Sequence, residues 1–104
     1  MSIKKQYLKS RPVCKVTFRV SKEAAGEANS INIVGDFNAW QTDATPMKAL
    51  KNGDFTCTLD LSTDRDSYEF RYLLDDKHWD NDWEADAYVP NAMMTENSVI
   101  QLAG

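Results

Sequence analysis

The sequence predicts an all-β domain, a sandwich of about seven short strands, and three observations carry that expectation. Apolar and polar residues alternate along several short runs, which is the period of a half-buried strand. Turn-forming residues recur at a spacing of about ten positions, and no segment carries the apolar period of an amphipathic helix.

The first strand is Val13 to Val20, where Cys14, Val16, Phe18 and Val20 alternate with Lys15, Thr17 and Arg19. Residues 1–11 ahead of it are expected to form a flexible arm. Ser21 to Ser30 is small and polar; its Glu-Ala-Ala could make one helical turn but lacks the apolar anchors of a core helix, so a loop is expected. Ile31 to Val34 is a second, β-branched strand ending at Gly35-Asp36, where glycine permits the turn. Phe37 to Lys48 holds Asn38, Asp43 and Pro46, which places Trp40 on an irregular connection. Met47 to Leu50 and Phe55 to Leu61 flank Asn52-Gly53, the pair favoured in a type I′ hairpin turn. After a turn at Thr63 to Asp66, the alternation of Tyr68, Phe70 and Tyr72 with Glu69, Arg71 and Leu73 marks another strand. The Asp75-Asp76 turn follows, and His78-Trp79 begins its partner. Asp80 to Asn91 is acidic and suits a surface loop, and Ser98 to Leu102 supplies the last strand.

The 104 residues suit a single domain spanning 1–104, too short for a (β/α)8 barrel or a repeated βαβ dinucleotide fold. With 42% apolar, 11% aromatic and 27% charged residues, the chain has the composition of a folded domain. Sixteen acidic against twelve basic side chains, a net charge of -4, remove the electrostatic basis for binding phosphate backbones, so nucleic acid is not an expected partner. The longest apolar runs are a few residues and the basic N-terminus is followed by no apolar stretch, so neither a membrane nor export is expected and a cytoplasmic location is. Cys14 and Cys57 form no CxxC pair and lie on inward strand positions, so two free, buried thiols are expected.

Little in the sequence points to catalysis or to a cofactor. The single His78 stands beside no Ser or Cys nucleophile in a recognisable motif. Asp80, Asp82 and Glu84 are too close on one chain to be placed on either side of a scissile glycosidic bond. The series Asp80, Asp82, Glu84, Asp86 has the look of a calcium loop, but Ala85 stands where an EF-hand needs glycine and Asn91 where it needs a bidentate glutamate. A solvated acidic loop is the expected alternative. The aromatic residues divide more usefully: Phe18, Phe55, Phe70 and Tyr72 fall on alternating strands, whereas Trp40, Trp79 and Trp83 fall in loops or at loop edges. A loop tryptophan can close one end of a sandwich, or it can present a flat face to the apolar C–H side of a sugar ring.

The segments Val34-Gly35-Asp36-Phe37-Asn38-Ala39-Trp40, Tyr68 to Asp76 with Trp79, and Glu96-Asn97-Ser98-Val99-Ile100 together resemble carbohydrate-binding module family 48, over about Pro12 to Leu102. That family includes the N-terminal early-set domains of isoamylases and glycogen branching enzymes, and the glycogen-binding domain of the AMP-activated protein kinase beta subunit. The chain is most similar to small stand-alone bacterial members. The resemblance implies an immunoglobulin-like β-sandwich (early set) that binds α-glucan, such as glycogen, starch or malto-oligosaccharides, without catalysis. It implies that Trp40 and Trp79 are stacking residues, that Arg71 and Asn97 bond sugar hydroxyls, and that Met93 pushes against the sugar coil. Arg71 stands where the family has lysine, Asp76 replaces a turn glycine, and Asp80-Asn81-Asp82-Trp83 replaces a frequent Asp-Pro. The same resemblance allows a second use, as a protein-interaction domain docked on a glycogen-metabolising enzyme or another partner.

Overall fold

Alternation becomes register in the two sheets of the structure, a computed structural model that describes residues 2–102. Among the described residues nine strands are formed: β1 (Ser2–Tyr7), β2 (Val13–Val20), β3 (Ile31–Gly35), β4 (Lys48–Ala49), β5 (Phe55–Ser62), β6 (Ser67–Leu74), β7 (His78–Asp80), β8 (Ala87–Pro90) and β9 (Glu96–Gln101). One antiparallel sheet runs β1-β2-β5-β4 and the other β3-β6-β9-β8, with β7 also paired to β6. The result is an all-β, immunoglobulin-like sandwich. No helix among the described residues is long and apolar enough to cross a membrane.

The inward positions read from the alternation are buried. Cys14, Val16, Phe18 and Val20 of β2 face Phe70 and Tyr72 of β6, with Ile31, Ile33, Phe55 and Ile100 in the same cluster. Phe70 sits at its centre, edge-on to Phe18 at 5.1 Å and to Tyr72 at 5.7 Å between ring centroids. Edge-to-face contacts of this kind add to the area buried.

Several expectations are corrected. Ser2–Tyr7 is not a free arm: all six residues pair with β2, from Ser2 opposite Arg19 to Tyr7 opposite Cys14. Its polar side chains hide it in the sequence, because an edge strand is stabilised by ladder bonds more than by burial. Lys5 adds a tie between the sheets, bonding the Asp86 carboxylate at 2.7 Å and the Gln101 carbonyl. Within the expected loop Ser21–Ser30, Lys22–Ala25 forms one helical turn, capped by the Ser21 hydroxyl accepting the Ala24 N–H. The acidic stretch contains the strand β8, paired with β9 through Ala87 opposite Val99.

The hairpin at Asn52-Gly53 forms with a different turn. Only Gly53 has positive φ, at 96°, and Leu50 N–H bonds Asp54 while Gly53 N–H bonds Leu50. This is a three-residue loop with glycine at the bulge, not the two-residue type I′ turn. The pair of positive φ angles occurs instead at Asp75 and Asp76, at 52° and 57°. There the Asp75 carboxylate accepts the N–H groups of Asn29 and Ser30, so aspartate holds a turn for which glycine is usual. Gly35 is needed for space, since its backbone is extended and a Cβ there would lie 2.7 Å from that of Phe70.

Cys14 is buried, but Cys57 is only half-buried, because the short β4 leaves part of β5 uncovered. Both thiols are free, and desolvation raises both above the ordinary value.

Candidate functional site

The second sheet has an uneven edge, and that edge builds the site. β3 occupies one side of β6 along Phe70–Leu74; β9 runs beside Ser67–Phe70 and β7 beside Tyr72–Leu74, both on the other side. Arg71 therefore lies where the pairing with β9 has ended and that with β7 has not begun. The outward face of β6 carries Glu69, Arg71 and Leu73, and Trp79 stands directly across from Leu73 on that same face. Asn97 shares it from β9, two positions from Val99 opposite Glu69.

Trp40 reaches this face from the connection after β3. A 3-10 turn over Asp36–Asn38 is closed by Asn38, whose side-chain carbonyl accepts the Gly35 N–H at 3.0 Å while its amide bonds the Ile33 carbonyl. Ala39 and Trp40 then take left-handed backbone, φ 56° and 58°, a conformation that side chains make costly. Two bonds hold it: Trp40 N–H to the Gly35 carbonyl, and the indole N–H to an Asp36 carboxylate oxygen at 2.9 Å. The other oxygen of Asp36 accepts Arg65 at 2.7 Å and the Glu69 N–H at 2.8 Å. One carboxylate thus fixes the indole to β6.

The structure brings Trp40, Arg71, Trp79, Met93 and Asn97 into one open groove of about 630 Å³, completed by Asn91, Ala92 and Thr95. Trp79 is 43% exposed, while Trp40 is half-buried. The Arg71 guanidinium lies 5.8 Å from the Trp79 ring centroid and reaches the Thr95 hydroxyl at 3.4 Å, yet its Nε is buried without a partner in the protein. Asn97 is mostly buried and already engaged: its amide N–H donates to Glu69, and its carbonyl accepts from Asn91. Asn91 also accepts from the N–H groups of Met93 and Thr95 and from the Thr95 hydroxyl, and so shapes the turn that carries Met93.

Sequence reasoning passed over Thr95, Asn91 and Asn81. Asn91 was legible only as the end of the acidic loop. Asn81 bridges the split edge, donating to the Glu96 carbonyl at 2.9 Å and accepting from Ser98, a role visible only once β7 and β9 share one side of β6.

Asp82 departs most from the expected solvated loop, being fully buried. Its two carboxylate oxygens accept the Tyr72 hydroxyl at 2.7 Å and the Glu84 N–H at 2.8 Å, and its own N–H donates to Ser98. The Tyr88 hydroxyl donates to its backbone carbonyl. Burial, and then the adjacent Asp82 carboxylate, push the Tyr72 phenol well above its ordinary value of 10.0. The folded chain therefore keeps a proton that the unfolded chain loses, and stability falls as pH rises past the unfolded value. Denaturant unfolding at about pH 9 and about pH 11 should show a larger loss for the native protein than for Tyr72→Phe. Equal losses would mean that this phenol does not govern alkaline stability.

A search of curated proteins returns no match to this chain. Residues 11–89 match carbohydrate-binding module 48 (isoamylase N-terminal domain), from just before β2 into β8, a shorter span than the resemblance out to Leu102. The β8–β9 turn, Met93 and Asn97 lie beyond it. A match over most of the sequence, carried on a two-sheet antiparallel sandwich, places this chain in the carbohydrate-binding module 48 (isoamylase N-terminal domain) family.

Proposed function

We propose that the protein binds neutral α-glucan, such as glycogen, starch or malto-oligosaccharides, in the groove between Trp40 and Trp79 and carries out no reaction on it. The observation that supports this most is the convergence of two indoles and a guanidinium, drawn from the β3–β4 connection, β6 and β7, on one open face. Indole faces suit the C–H side of a glucose ring, and the Arg71 guanidinium lining the groove suits hydroxyl oxygens. A planar guanidinium replaces the family's lysine and is itself positioned by Trp79 and Thr95. Met93, 80% exposed at the tip of the β8–β9 turn, supplies a flexible apolar contact. Asn97 acts chiefly by holding Glu69 and the Asn91 turn, with what remains of its donor capacity for sugar.

Titration calorimetry with a cyclic malto-oligosaccharide tests this reading. Trp79→Ala should weaken binding about tenfold with little change in Tm, since an exposed platform is lost without opening a core cavity. Trp40→Ala should weaken it comparably and also lower Tm, because the Asp36 bond is lost with the ring. Affinity should stay nearly flat as salt rises, the ligand being uncharged. No binding by the unmodified protein, together with capture of a glycogen-metabolising enzyme through the same face, would replace the glucan with a protein partner.

A further inference from the structure

We propose that Trp83, Tyr88 and Met94 form a second platform for the same α-glucan, so that one curved chain passes over the tip of the β8–β9 hairpin and touches both of its sides. The inference rests on the α-glucan reading above and extends its footprint. A second open groove, of about 760 Å³, is lined by Trp83, Tyr88, Pro90 and Met94 together with Asn81, Asp82, Thr95 and Glu96. Tyr88 pairs with Ser98, and Ser98 with the core residue Phe70, so Tyr88 starts from the inward side of the sheet. Asn97 of the first groove starts from the outward side. The two grooves therefore flank the hairpin, and Thr95 at its tip lines both.

The tip itself breaks a local rule. Asn91 N–H bonds Thr95 and Met94 N–H bonds Asn91, the same three-residue loop that Leu50 and Asp54 close around Gly53. The bulge position belongs to glycine in that loop and to Met94, with φ 63°, in this one. A methionine here accepts a costly backbone, yet it is 97% exposed and gains no burial in return. The neighbouring platform is held firmly: Trp83, 61% exposed, follows the fully buried Asp82, and the Tyr88 hydroxyl is tied to that residue's carbonyl. Ring faces, a thioether and no lining Lys or Arg suit a neutral ligand and not an anion. An α-linked glucan curves along its length, which suits a path around a hairpin edge.

The test is calorimetric titration of the full chain with a cyclic malto-oligosaccharide, which fits one groove, and with a long linear maltodextrin, which can span two. Trp83→Ala and Met94→Gly should each bind the ring within about twofold of the unmodified protein and the long chain about five- to tenfold more weakly. Met94→Gly should keep or raise Tm, since glycine relaxes the turn and no buried contact is lost. It decides the matter alone should Trp83→Ala fold poorly. Unchanged long-chain affinity in Met94→Gly and in folded Trp83→Ala, with Trp79→Ala still impaired, would overturn the second platform and leave the first reading standing. Equal weakening toward ring and long chain would also overturn it, by assigning these residues to the first groove. Failure of the unmodified protein to bind either ligand would remove both readings.

Discussion

Phe70→Ala is expected to remove ~3–5 kcal/mol of stability, the cost of deleting a fully buried aromatic ring from a packed core. The ring is 0% exposed and contacts Phe18, Phe37 and Tyr72 at centroid distances of 5.1, 6.4 and 5.7 Å. It also lies where β6 pairs with both β3 and β9, opposite Gly35 and Ser98. A cavity there cannot be closed by a loop, because strands fixed by ladder bonds on both sides of β6 resist collapse. A domain of this size has about 5–15 kcal/mol in all, so the variant should sit near its threshold. Urea unfolding should show a much lower midpoint at an unchanged slope. A shift of under about 1 kcal/mol would contradict the central place given to this ring.

Asp82→Ala should cost about 2–4 kcal/mol, because it strands the buried Tyr72 hydroxyl and the Glu84 N–H together. Tyr72→Phe removes the donor with its partner still able to bond Glu84, so it should cost less. The double variant should cost less than the sum of the two single changes, since the stranded hydroxyl is gone. Thermal or urea unfolding of the three variants closes this cycle, and strict additivity would show that the two groups are not coupled. The functional consequence is local: Asp82 pins the connection between β7 and β8, which carries Trp83 and follows Trp79. Loss of the anchor should therefore disturb the second groove more than the first.

Local chemistry made the central strands legible. The alternation in β2 and β6 named Phe18, Phe70 and Tyr72 as core residues, because burying one face of a strand requires that period whatever lies opposite. The same logic failed for Ser2–Tyr7, whose strand depends on free ladder groups along β2, and for β8, a four-residue strand that follows an acidic run and ends at Pro90. Turn chemistry was legible in place but not in type: Asn52-Gly53 and Asp75-Asp76 both turn the chain, and the surrounding strands decided which turn takes two left-handed residues.

The sequence by itself determined that indoles, a guanidinium and an amide were available outside the core. Only the tertiary structure decided where they meet. Arg71, Trp79 and Asn97 share one face because β7 and β9 divide a single edge of β6, and Trp40 joins them through the Asp36 carboxylate; these are facts of pairing and packing with no signature in any one segment. The same packing turned Asp82 from an apparent member of a solvated acidic run into a buried anchor, while Asp80 stays half-buried and Glu84 exposed. Periodicity records which way a side chain points relative to its own strand. Whether another strand arrives to cover it is settled by long-range pairing, whose energy depends on residues distant in the chain.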